Sequence, residues 1–187
     1  LSASTTVTAI MWLALVLCIV LSGIFSATET AYSTASKVRL TTMSDEGDKK
    51  AGKVLKLLNN YEKVLFTVLV GNNIVNITAT TLATLLFIAL MGDIGATVST
   101  IVITVVVLLF GEISPKMLAK QHPEGFSKSI YGFLRACMVI LTPITFILGG
   151  WKWLLSKMFR FPQTASFSEE ELITIVETAE NEGQLEK

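Results

Sequence analysis

The sequence predicts an all-α integral membrane protein, and three observations carry that prediction. Hydrophobic residues make up 51% of the 187 and charged ones only 16%, with a mean hydropathy of +0.61; soluble domains run near about 25% charged. Four apolar runs, Val7–Ala27, Val64–Met91, Ala96–Gly111 and Tyr131–Trp151, approach the roughly 20 residues that a spanning helix needs. The basic residues gather in alternate connections between those runs. The net charge of zero shows no basic bias toward nucleic acid. Cys18 and Cys137 both lie inside apolar runs and read as buried thiols, not as a disulfide framework.

The first run predicts a span over about 5–28. No basic segment precedes it, so it reads as a membrane helix and not as a cleavable signal. The chain ends read as trimmed, with the natural protein continuing past Lys187. Residues 30–63 predict short cytosolic helices. Val54, Leu55, Leu57 and Leu58 lie among lysines, an amphipathic pattern suited to the membrane surface, with Gly47 and Gly52 expected to interrupt it.

The second and third spans are expected over about 64–91 and 95–115, joined by a short turn at Asp93. Lys37, Arg39, Lys49, Lys50, Lys53, Lys56 and Lys63 separate the first two runs, and Lys116, Lys120 and Lys128 follow the third. The positive-inside rule then sets the N-terminus outside and residues 28–63 and 116–128 inside. If the fourth run also crossed, Lys152, Lys157 and Arg160 would lie outside. Pro143 and Gly149–Gly150 interrupt this run, which argues for a kinked belt helix, about 128–158, along the inner leaflet. Within it Arg135 reads as a snorkelling anchor. Past Pro162 the composition turns acidic. Ser168 and Glu171 form a capping box before Leu172, Ile175, Val176 and Ala179, so 161–187 reads as a cytosolic linker helix. The first domain is then 1–160.

Polar clusters interrupt the first three runs: Ser22, Gly23, Ser26 and Glu29; then Gly71, Asn72, Asn73 and Asn76; then Gly111, Glu112, Ser114 and Pro115. At 1.5 Å per residue, Ser22 and Glu112 lie about 22 Å from the outer edge, and Asn73 about 13 Å from the inner one. All three fall at a similar depth, which predicts one site. Pro115 has no N–H, so the carbonyl of Gly111 is freed beside the Glu112 carboxylate. Ser22 and Ser26 share one helix face, as do Asn72 and Asn76. The donors are all oxygen, without His or Cys, and suit a hard cation. A carboxylate at this depth requires a compensating cation or proton. The competing readings are interhelical glue for the serines and asparagines and a Glu112–Lys116 pair for the acid. Glu29 reads as a vestibule group or a helix-end charge, and His122 as solvated.

The segments "LSGIFSATETAYSTASKVRL", "LVGNNIVNITAT" and "FGEISPKMLAKQHPE" also resemble the CorC/CorB/CNNM family and its DUF21 membrane domain, in the bacterial CorC-like spelling. The resemblance covers about residues 5–187. It implies a magnesium transporter of the cell membrane that exports Mg2+ in exchange for Na+, with three spans, a juxtamembrane belt helix and a cytosolic C-terminus. It implies a homodimer whose full-length chain continues into a CBS-domain pair binding ATP and Mg2+. Carried onto this chain, the Mg2+ site would fall on Ser22, Ser26, Asn73, Gly111 and Glu112. Asn72, Asn76, Gly23 and Glu29 would stand nearby or serve Na+, and Pro115 would be structural. A membrane cation sensor or scaffold with a structural Mg2+ is the alternative. An intramembrane hydrolase lacks a nucleophile with its base, so no enzyme is expected.

Overall fold

The computed structural model describes residues 3–144 and, past them, Ile147, Gly150, Trp151, Leu154 and Met158. The chain divides into two units, Leu1–Leu148 and Gly149–Lys187. In the second, Gly150, Trp151, Leu154 and Met158 are helical. The acidic linker 161–187, its Ser168–Glu171 cap and most of the belt segment past Ile144 lie outside the described residues.

The first unit is helical, and no strand occurs among the described residues. Helix α1 spans Ala3–Thr34, α2 Lys37–Asp45, α3 Lys49–Leu58 and α4 Tyr61–Met91. A single 3₁₀ turn, Gly92–Ile94, leads into α5, Gly95–Val106. A stretch of i→i+5 bonding, Val107–Ile113, follows, then α6, Ser114–Gln121, and α7, Pro123–Ile140. Two helical stretches, Thr5–Thr34 and Tyr61–Gln121, are long and apolar enough to cross a membrane. The second contains the reversal at Gly92–Ile94, so it folds back as two legs, with the Thr84 and Ser99 hydroxyls 3.5 Å apart across them.

Helix α1 packs against both legs. Its contacts run from Trp12 against Phe87 to Ser22 against Asn72, so α1 and α4 are antiparallel. Ser22 meets Gly111 and Glu29 meets Lys116, so α1 and the α5–α6 leg run parallel. The interfaces bury small side chains: Ala79, Ala83 and Ser99 in one cluster of contacts and Ala27, Ala31 and Ala119 in another, each at most 4% exposed. Small residues let membrane helices approach where hydrophobic burial gives no drive. The outward faces carry Leu13, Val16, Leu17, Ile77, Leu85, Ile101 and Phe110, all exposed.

At one end of this sheaf, α2, α3 and α7 gather around Tyr32, Leu40, Val54 and Leu134, each at most 2% exposed. This corrects the expected surface helix. The apolar stripe of α3, including Leu57 and Leu58, is buried against protein, because α2 and α7 offer it a dry partner. Gly47 does end α2, at φ +100, a left-handed conformation that suits glycine. Gly52 does not interrupt α3; it lies inside the helix, where its missing side chain admits the Ser44 hydroxyl.

The other boundaries shift as well. Helix α1 runs to Thr34 because Ala31 and Tyr32 continue to bury their side chains. The third run does not stop at Pro115. Ser114 and Pro115 open α6, and the bond that Pro115 cannot donate is taken up by the i→i+5 stretch just before it. Helix α7 starts earlier than expected, with Pro123 in its first turn, and ends at Ile140, where the Leu141 N–H caps it on the Cys137 and Val139 carbonyls.

Two carboxylates clasp the short helices. Glu124 Oε1 accepts from the Ser36 N–H at 2.9 Å and from the Arg39 guanidinium at 2.8 and 3.0 Å. Burial pushes the Glu124 carboxyl up, but the Ser36 N–H, its own N–H and Arg39 outweigh it and hold the group below the ordinary carboxylate range. Asp48 caps α3 through the Lys50 and Ala51 N–H groups and takes Lys128 Nζ at 2.8 Å. The Lys128 bond first, then the Ala51 N–H, lower its carboxyl.

Candidate cation site between the helices

The geometry centres on Ser22. It is fully buried, and its hydroxyl faces Asn72 Oδ1 at 3.2 Å and the Gly111 carbonyl at 3.4 Å. One proton serves three converging oxygens, so the cluster is rich in acceptors and poor in hydrogen. Ligands of an octahedron with 2.1 Å metal–oxygen bonds stand about 3.0 Å apart. The observed spacing is close to that value.

The backbone explains why Gly111 presents its carbonyl. Pro115 cannot donate to it, as the sequence implies. The i→i+5 stretch then adds a residue to the turn, and the Ser114 N–H reaches back to the Leu109 carbonyl. Such widened turns recur at functional sites. Glycine is needed at 111 for contact: a Cβ there would stand 2.8 Å from Ser22 Oγ. Pro115 packs in turn on Gly23 of α1.

Two more buried oxygens flank this centre. Ser26 Oγ and Asn76 Oδ1 have no hydrogen-bond partner. Ser26 is one turn past Ser22 on α1, and Asn76 one turn past Asn72 on α4. These helices are antiparallel, so the two orphaned oxygens lie on opposite sides of the Ser22–Asn72 contact. Ser22, Ser26 and Glu29 thus line one face of α1 at helical spacing. At its far end Glu29 pairs with Lys116 Nζ at 3.1 Å.

Against the expected set, Ser22, Asn72 and Gly111 come together. Glu112 adjoins them in sequence, is partly buried and makes no hydrogen bond or ion pair among the described residues. The competing reading of this acid, a pair with Lys116, does not form, because Lys116 turns to Glu29 instead. Asn73 does not face Ser22. It is exposed, and its amide donates to the Leu69 carbonyl of its own helix at 2.8 Å. Asn72 takes the place next to Ser22 because it falls on the face of α4 that meets α1. The widened turn and the Glu29–Lys116 pair were missed from sequence. The Gly111–Pro115 spacing was the available signal for the first, and the shared i+7 position of Glu29 for the second. Among the described residues no three His, Cys, Asp or Glu side chains cluster, so any metal bound here would rest on hydroxyl, amide and carbonyl oxygens with Glu112.

Apolar outer faces around a buried polar track define a membrane protein built from helices. The sequence pattern of the cyclin M transmembrane N-terminal domain matches residues 13–187, and the chain belongs to that family. It is 35% identical over 160 residues to the UPF0053 inner membrane protein YfjD of Escherichia coli (strain K12), covering 83% of this chain and 37% of that protein. A UPF0053 protein of Haemophilus influenzae is 34% identical over 172 residues, 90% of this chain and 41% of the relative. The polyamine export protein of Escherichia coli (strain K12) is 22% identical over 197 residues, covering 92% and 42%. The chain therefore spans about two fifths of the length of these curated relatives.

Proposed function

We propose that this chain is the membrane part of a magnesium exporter driven by Na+. The observation that carries the reading is the pair of orphaned buried oxygens, Ser26 Oγ and Asn76 Oδ1, on either side of the Ser22–Asn72–Gly111 contact. Leaving a buried acceptor unpaired costs about 1–3 kcal/mol each. Such a cost is sustained where a passing ion, and not the fold, is the intended partner. Mg2+ as substrate would be met by Ser22, Ser26, the Gly111 carbonyl and Glu112, with Asn72 supplying the amide oxygen in this arrangement. Mg2+ dehydrates reluctantly, so waters would fill the remaining positions. Na+, also a hard cation, would use the same oxygens or Glu29.

The frame for this reading is three crossings by α1, α4 and the α5–α6 leg, in a cell membrane. The positive-inside rule supports an N-terminus outside and the short helices in the cytosol. Helix α7 would begin the juxtamembrane belt. A homodimer is proposed through α4 and α5, whose exposed Asn73, Thr80 and Thr100 suit a second helix better than lipid. The longer natural chain would carry a nucleotide-binding CBS pair in the cytosol.

The test is flux in vesicles holding a Mg2+ dye. Wild type is expected to move Mg2+ against an imposed Na+ gradient, and Asn72→Ala and Glu112→Ala to abolish this. Unchanged flux in both variants would remove the assignment, and Mg2+ binding without flux would favour the scaffold. A second reading, polyamine export, has one observation in its favour beyond the 22% relative. The Lys116 ammonium already sits against Glu29 at the end of the track, and a polyamine is a string of such ammonium groups. Spermidine movement without Mg2+ movement in the same vesicles would select it.

A further inference from the structure

Where α1 and α6 end and α7 begins, the first unit has an open cavity of about 660 Å³ lined by Thr34, Arg39, Lys120, His122, Glu124 and Lys128 among others. It lies off the polar track, past the ends of α1 and α6, and the proposed transport makes no use of it. Four of its side chains are basic and one is acidic. That acid is already committed: Glu124 Oε1 takes the Ser36 N–H and two donors of Arg39. Lys128 is shared with Asp48. Lys120 and His122 have no side-chain partner among the described residues, and Arg39 keeps outward donors, its side chain being 63% exposed. The cavity thus holds unmatched donors around a neutralised carboxylate, a surplus that calls for an anion.

Its surroundings say which anion. Met117 and Leu118, three and two residues before Lys120, are 64% and 68% exposed on a helix that continues an apolar leg. A ligand that fits both features has a phosphate for the cavity and a hydrocarbon chain for the Met117–Leu118 face. Basic pockets at the membrane rim hold lipid head groups by the same logic. We propose that this cavity binds the head-group phosphate of an anionic phospholipid, with its acyl chains along α6. Arg39 and Lys120 bond the phosphate oxygens, and His122 closes the rim.

The full chain in nanodiscs of mixed phosphatidylglycerol and phosphatidylcholine tests this, by counting the lipids retained per chain after delipidation. Wild type is expected to retain phosphatidylglycerol about tenfold over phosphatidylcholine. Lys120→Gln with His122→Gln is expected to lose this preference by about fivefold or more, since one cation near an anionic surface is worth about that factor. Lys120→Arg keeps the charge and is expected to keep the preference, as is Lys56→Gln on the exposed face of α3. These two show that a loss is not a folding failure. Retention by the double variant equal to wild type overturns the proposal. Displacement of the lipid by millimolar inorganic phosphate also overturns it, since the site would then hold a soluble anion.

Discussion

Replacing Ser26 by alanine separates a fold-stabilising role from an ion-handling one. Ser26 is fully buried, and its hydroxyl has no partner. If the cluster exists to hold helices together, the variant loses an interaction and the protein weakens. If it exists to meet an ion, the cation-free protein loses only an unsatisfied oxygen. Burying a hydroxyl without a partner costs about 1–3 kcal/mol, and Ser→Ala leaves nearly the same volume, so no cavity term opposes the gain. The cation-free variant is therefore expected to be more stable than wild type by up to about 1–3 kcal/mol. For a chain of this size that raises the midpoint by about 2–4 °C per kcal/mol. The assay is thermal unfolding in detergent, first with chelator and then with Mg2+ titrated in. Wild type gains stability with Mg2+ by mass action, while Ser26→Ala gains much less and loses flux. A variant that melts lower with chelator, yet keeps the full Mg2+ shift, would refute the reasoning.

Other outcomes follow from the same contacts. Gly111→Ala puts a methyl 2.8 Å from Ser22 Oγ, which forces α1 and the α5–α6 leg apart; flux is expected to fall at least tenfold while the helical circular dichroism is kept. Glu29→Gln breaks a half-exposed ion pair, worth about 0–1 kcal/mol to the fold, so the melting point should barely move while the Mg2+ dependence of flux shifts. The Glu124 carboxyl is held below its ordinary value, so its stabilisation is complete above the unfolded pKa and is lost as pH falls through the lower folded one. Glu124→Gln is expected to flatten the acid limb of the stability–pH curve, and to cost about 1–3 kcal/mol at neutral pH by stripping charge from the Ser36 and Arg39 donors.

Periodicity and charge made the three apolar legs and their hairpin legible, because each rests on a long local pattern. The short helices were legible as helices but not as a cluster. Leu57 and Leu58 have the same amphipathic spacing whether they face lipid or the α2 and α7 side chains, and only tertiary packing decides. The site was legible as three segments at one depth. Which asparagine meets Ser22 was not, since Asn72 and Asn73 differ by about 100° of helical rotation and neighbours alone select the face. The depth estimate was too coarse to separate them. The widened turn was hidden because proline and glycine rules predict a break at Pro115, whereas the chain absorbs the lost bond over seven residues, Val107–Ile113.

That absorbed residue is stored length. A turn with i→i+5 bonding can return to i→i+4 by passing its extra residue along the helix, without breaking the chain's course. Such a slip would turn everything beyond it by about 100° and move it by about 1.5 Å. Glu112 and the Gly111 carbonyl would swing away from Ser22, and Lys116 would slide against Glu29. A slip of this kind would trade the oxygen-lined face of this leg for an apolar one.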